Sequence, residues 1–219
     1  MLIPAFVLAV VAATVAFPAS GAYNYTASMS GQPIGQWNVT VKRNDSATEI
    51  DEDSWASVMG MMLSAKATLA LGSDLSPTRY TGNYRAAGQN VAVTVALTPA
   101  SATITGTQND PARTVALGAN THHFVVIEPG LLAGLFALPA QLASWNESTV
   151  TWVSPVTGAA QPLMKDSAAS PPRPAGVPAQ DVELSLTGQI PVTMWYDPVT
   201  FIPDRIEVPS QHTIVTRVR

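Results

Sequence analysis

Residues 89–99, QNVAVTVALTP, decide the fold class. Val91, Val93, Val95 and Leu97 fall on one side of an extended chain, and small Ala92, Thr94 and Ala96 fall on the other. Strand side chains alternate between two faces, so this spacing predicts a β-strand with one apolar face and argues against a helix. The Thr-Pro-Ala that follows is a turn signal, and SATITGTQ at 101–108 can pair back across it.

The same pattern recurs outward in both directions. Tyr23, Tyr25, Ala27 and Met29 alternate with Asn24, Thr26 and Ser28, and after GQPIG at 31–35 the alternation resumes with Trp37, Val39 and Val41. Two period-2 runs around a Gly/Pro loop read as a hairpin. A turn at 43–47 and a shorter, acidic strand at 48–57, TEIDEDSWAS, come next. Residues 57–72, SVMGMMLSAKATLALG, mix helix-favouring Met, Leu and Ala with strand-favouring surroundings, and we read them as strand. Further strands are expected at 76–88, 114–118, 123–127 and 148–155, then at 181–188, 190–197, 204–211 and 213–218. About ten strands with turns between them predict an all-β, mainly antiparallel domain, and a sheet of that size must curl. Residues 165–180, KDSAASPPRPAGVPAQ, hold four prolines and read as a solvated loop.

Composition narrows the compartment and the partners. Residues 1–22 carry no charge, run apolar, and exit through small Ser20, Gly21 and Ala22, the build of a secretory signal cleaved after Ala22. A single domain over 23–219 is then expected, periplasmic or secreted in a bacterial envelope. The chain has no cysteine, so neither a disulfide nor a lipid-modified cysteine is possible. Eleven basic residues scattered singly in a chain of net charge −4 make no footprint for nucleic acid.

The Tyr-rich first strand, GQPIG leading into the second, LSPTRY entering a middle strand, and MWYDPVTFIPDRIEV near the end together resemble a family pattern. It is similar to bacterial envelope half-barrels of unknown function, grouped with the lipoprotein-carrier proteins by a curled antiparallel sheet. The resemblance implies a concave apolar face, partly covered by helical segments, that holds acyl chains. It implies no catalytic residues.

Residues 122–145, HHFVVIEPGLLAGLFALPAQLASW, are the longest apolar stretch after the leader. Only 18 residues separate Glu128 from Glu147, which is short for a membrane span. Pro129 suits the first turn of a helix, and Leu131, Leu135, Leu138 and Leu142, with Leu132 and Phe136 beside them, make an apolar stripe. Pro139 should kink it or split it into two short helices. Such a helix would lie on the concave side of the sheet, as fixed core or as a lid. On a strand, His122 and His123 point to opposite faces and cannot chelate one metal together, and no other histidine spacing supplies a pair, so no metal site is expected. Residues 49–53, EIDED, lack the glycine and downstream acid of a calcium loop and read as a solvated acidic edge.

GxSxG and SxxK are both missing, and no cofactor is implied. The functional expectation is a non-catalytic protein that holds a lipid or another apolar small molecule, with Trp37, Met59, Met62, Val93, Val95, Leu132, Phe136 and Trp195 as candidate contacts. Two alternatives stand beside it: a structural or interaction module with a packed interior, and a hydrolase with a dispersed site.

Overall fold

A computed structural model describes residues 16–44, 46–106, 112–117, 123–168 and 171–219. Residues 1–15, which hold most of the segment expected as a secretory signal, His122 and two residues of the Pro-rich loop lie outside them. Strands hold 58% of the described residues, and fifteen of them make one sheet, so the expectation of about ten was too low.

The first half is a meander: β1 (Gly21–Met29), β2 (Gln32–Arg43), β3 (Ala47–Val58), β4 (Met61–Gly72), β5 (Pro77–Ala86), β6 (Gln89–Thr98), β7 (Ser101–Gly106) and β8 (Arg113–Ala116). After β9 (Phe124–Val126) and α1 (Ala133–Trp145) come β10 (Thr149–Val153), β11 (Ala160–Lys165), β12 (Val182–Thr187), β13 (Val192–Tyr196), β14 (Pro203–Val208) and β15 (Thr213–Arg217). In space the order is β8-β7-β6-β5-β4-β3-β2-β1-β15-β14-β13-β12-β11-β10-β9, so pairing of the first and last strands fuses the two halves into a single sheet. The sheet is mixed and does not close into a barrel. Its parallel pair is β9 with β10. Parallel neighbours need a crossover of a dozen or more residues, and α1 supplies it.

Local chemistry accounts for most boundaries. The turns at Ser30-Gly31, Met59-Gly60 and Ala87-Gly88 have both residues at positive φ, as the two-residue hairpin turn of matching twist requires. The ambiguous run 57–72 thus splits into the end of β3, a turn at Met59-Gly60 and the long strand β4. The strand at 160–165 carries Pro162 and shows no clean alternation. It is tolerated because β12 pairs only with Met164 and Lys165, leaving Pro162 beside a single neighbour.

Helix α1 is the centre of the core. Residues Ala133 through Leu142 are all buried, so the apolar stripe read from the sequence is a helix covered on every side. Phe136 has no exposed surface and meets Tyr23 at 5.2 Å and Tyr25 edge-on at 6.4 Å, both from β1. Pro139 neither splits nor ends the helix. The ring removes one backbone donor, which costs a free helix about 3 kcal/mol, and here burial on all sides outweighs that loss. At the far end the buried Gln141 donates Nε2 to the Leu75 carbonyl (2.9 Å), and Trp145 donates Nε1 to Asp74 (2.8 Å).

The helix also lies against the backbone of β9. A Cβ on Gly134 would overlap the carbonyl oxygen of Val126. Gly134→Ala, a favourable change in an exposed helix, is therefore expected to destabilise this protein by about 3 kcal/mol, read as a lower urea midpoint with an unchanged slope.

Candidate functional site

The residues 49–53, expected as a solvated edge, belong to β3, which is flanked by β2 and β4 and is no edge. Strand alternation sends Ile50, Glu52, Ser54 and Ala56 inward, and Glu49, Asp51 and Asp53 outward. Glu52 is 2% exposed. Its Oε2 accepts hydrogen bonds from the backbone N–H groups of Leu132 and Ala133, each at 2.7 Å. No side chain of the helix itself caps α1, and its first turn has no acidic residue. A carboxylate from β3 thus does the work of an N-cap, satisfying two orphaned donors and facing the positive end of the helix dipole. Burial pushes the Glu52 carboxyl up to about 7, against the opposing effect of those two N–H groups and the Ser54 hydroxyl. The other oxygen, Oε1, is buried without a hydrogen-bond partner.

Two inward tyrosines of β5 stand in the field of this carboxylate. Tyr80 is 2% exposed, and its hydroxyl contacts that of Tyr84. Burial raises both phenols above the usual tyrosine range. Glu128, which also acts electrostatically on both, accepts from the Ser154 hydroxyl (2.9 Å) and the Val156 N–H (3.0 Å) through Oε2. Burial raises its carboxyl too.

Beside this polar cluster lies a groove of about 390 Å³. Its walls come from the ends of β1 to β5, the start of β15 with Gln211 before it, and the segment that leads into α1. Ile34, Trp37, Ala56, Val58 and Leu63 give it an apolar lining, and Tyr84 and Ser54 are among its other lining residues. The segment Pro129–Leu131 forms one wall, held by a hydrogen bond from Trp37 Nε1 to the Gly130 carbonyl (3.0 Å). Such a space, apolar with a few polar groups at one side, is at the small end of the size range of ligand pockets.

The eight residues expected to contact a ligand do not come together. Trp37 lines the groove. Met59 and Met62 stand 93% and 60% exposed at the β3–β4 hairpin, whose Val58 and Leu63 line it. Val93, Val95, Leu132 and Phe136 are 5% exposed or less and lie in one packed core, so this part of the interior is filled by side chains. Trp195 is buried, but its neighbour Met194 enters that core, and alternation puts Trp195 on the opposite face of β13. Sequence reasoning missed Glu52, Tyr80, Tyr84 and Glu128. For Glu52 a signal existed, since its register with Ile50 and Ser54 marks an inward position.

A second pair of buried acids sits at the other half of the sheet. Asp181 is 1% exposed, and its carboxyl is raised above the usual carboxylate range, by burial first and then by the nearby Asp204. Asp204 pairs with Arg219 (2.8 Å) and lies 3.5 Å from Arg217. Among the described residues no three His, Cys, Asp or Glu side chains are grouped to hold a metal. His123 instead stacks on Trp145 at 4.4 Å and contacts Glu147 through Nδ1 (2.9 Å), tying the start of β9 to the end of α1. His212 closes the short helical turn 209–211 at positive φ. None of the described helices is long and apolar enough to cross a membrane.

No protein-family model matches the chain, and no curated protein or solved structure matches it either.

Proposed function

We propose that this is an exported, non-catalytic protein that holds an apolar ligand, a short acyl chain or a compound of similar size, in the groove at the mouth of a half-barrel. The observation that carries the reading is the 390 Å³ groove with its apolar lining, framed by the ends of six strands and the Pro129–Leu131 segment. Transfer of apolar ligand surface out of water drives binding at about 25 cal/mol per Å², and few polar contacts give broad selectivity. Export rests on the uncharged apolar run at the N-terminus. The ligand site thus moves from the centre of the sheet, which α1 occupies, to its rim.

The packed interior around Phe136 favours a second reading, a structural or interaction module without a ligand. Titration with an apolar fluorescent probe and with medium-chain fatty alcohols separates the two. Ala86, exposed and at the groove, is the place for a plug. Ala86→Trp is expected to weaken probe binding about tenfold or more while the melting temperature stays unchanged. Failure of the native chain to take up any probe would leave the packed module as the better reading.

A further inference from the structure

The geometry points to the peptide bond between Ala16 and Phe17 as the site where the exported chain is processed. The mature protein then begins at Phe17, six residues before the Tyr23 start that small Ser20, Gly21 and Ala22 suggest. This inference rests on the export reading and refines where its cleavage falls.

Two sequence positions fit a signal peptidase. Counted back from the cleaved bond, Ala22 and Ser20 take the first and third places in one case and Ala16 and Thr14 in the other, so small residues sit at both required places in each. Ala19 is the poorer candidate, because the bulky Phe17 takes the place of the small residue before it. Sequence alone does not separate the first two.

The fold does separate them, because residues 17–22 belong to it. Phe17 is 7% exposed and a member of the main core, and Pro18 is buried next to it, while Ala16 is exposed. The Arg43 guanidinium lies 5.7 Å from the centre of the Phe17 ring and donates to the Phe17 carbonyl (3.1 Å). The Arg43 N–H donates to the Ser20 hydroxyl (3.0 Å), and the Tyr23 hydroxyl donates to the Ala19 carbonyl (2.8 Å). Gly21 and Ala22 pair with Val41 and Thr40 as the first two positions of β1. Cleavage after Ala22 would discard an aromatic core residue, three hydrogen bonds and the start of a central strand. Cleavage after Ala16 discards none of these, and it cuts where an exposed residue meets a buried one. Signal peptidase acts before folding, so the folded chain does not shield either bond. The folded chain nevertheless uses what the later cleavage would remove.

The test is N-terminal sequencing and intact mass of the protein exported with its own leader by a bacterial host. A start at Phe17 is expected. A start at Tyr23, or anywhere else after Phe17, overturns this inference and leaves export standing. A chain that keeps Met1 overturns both. Chains made directly from Phe17 and from Tyr23 supply the second measurement. The shorter one is expected to melt at least about 5 °C lower, and equal melting temperatures would sink the claim that these six residues belong to the fold.

Discussion

Phe136→Asp is expected to leave the chain without a cooperative thermal transition, with far-UV circular dichroism at neutral pH showing loss of the sheet signal. Phe136 has no exposed surface, and its ring is enclosed by α1 and by Tyr23 and Tyr25 of β1. Truncation to alanine at such a site costs about 3–5 kcal/mol from lost transfer energy and the cavity left behind. An aspartate adds the desolvation of a charge at a fully buried position. A domain of this kind has about 5–15 kcal/mol of stability in all, so the sum exceeds or exhausts it. Were the helix a mobile lid, the same substitution would leave the melting temperature almost unchanged. Retention of a native-like transition would therefore refute the placement of α1 as fixed core.

The second large effect concerns Glu52 and pH. Its carboxyl is raised from 4.5 to about 7 because burial disfavours the charged form more than the helix N–H groups favour it. Between these two values the folded state holds a proton that the unfolded state has released. Stability is therefore greatest below about pH 4.5 for this group and falls as pH rises through 7, by on the order of 3 kcal/mol. Glu128 and Asp181 are raised too and add to the decline with the same sign.

Urea denaturation across pH 4.5–8 reads the decline directly. Glu52→Gln keeps an acceptor oxygen for the Leu132 and Ala133 N–H groups but cannot ionise. Its stability should fall less steeply with pH than that of the native chain, and at pH 8 it should match or exceed it. Glu52→Ala strands both donors in the core and should cost about 2–5 kcal/mol at either pH. An unchanged pH profile in Glu52→Gln would show that the carboxyl does not titrate as a buried group.

These two residues also show how far the chain could be read unaided. Phe136 was legible as part of an apolar stripe, because the repeat of leucines from 131 to 142 has helical spacing whatever surrounds it. Whether the stripe covered one side or the whole helix was not legible, since the alanines and Gly134 between the large residues suit a buried face and an exposed one equally. Glu52 was misread for a related reason. Four acids in five residues look solvated as a group, yet the period of two assigns one of them to the core. Its partners, the N–H groups of Leu132 and Ala133, lie about 80 positions away along the chain, and no local pattern announces them.

By itself the sequence determined most of the local geometry: most segments that extend, where the helix falls, and that neither a disulfide nor a basic surface is present, though not β11 or the turn at Met59-Gly60. Those features depend on residues within a few positions of one another, through side-chain period and turn chemistry. Only the tertiary structure decided that the first and last strands pair, that α1 closes the interior, that Glu52 caps it, and that an apolar groove opens at the rim by Trp37. Each of these depends on contacts between distant segments, whose formation is set by how the whole sheet buries one helix and not by the preferences of either segment alone.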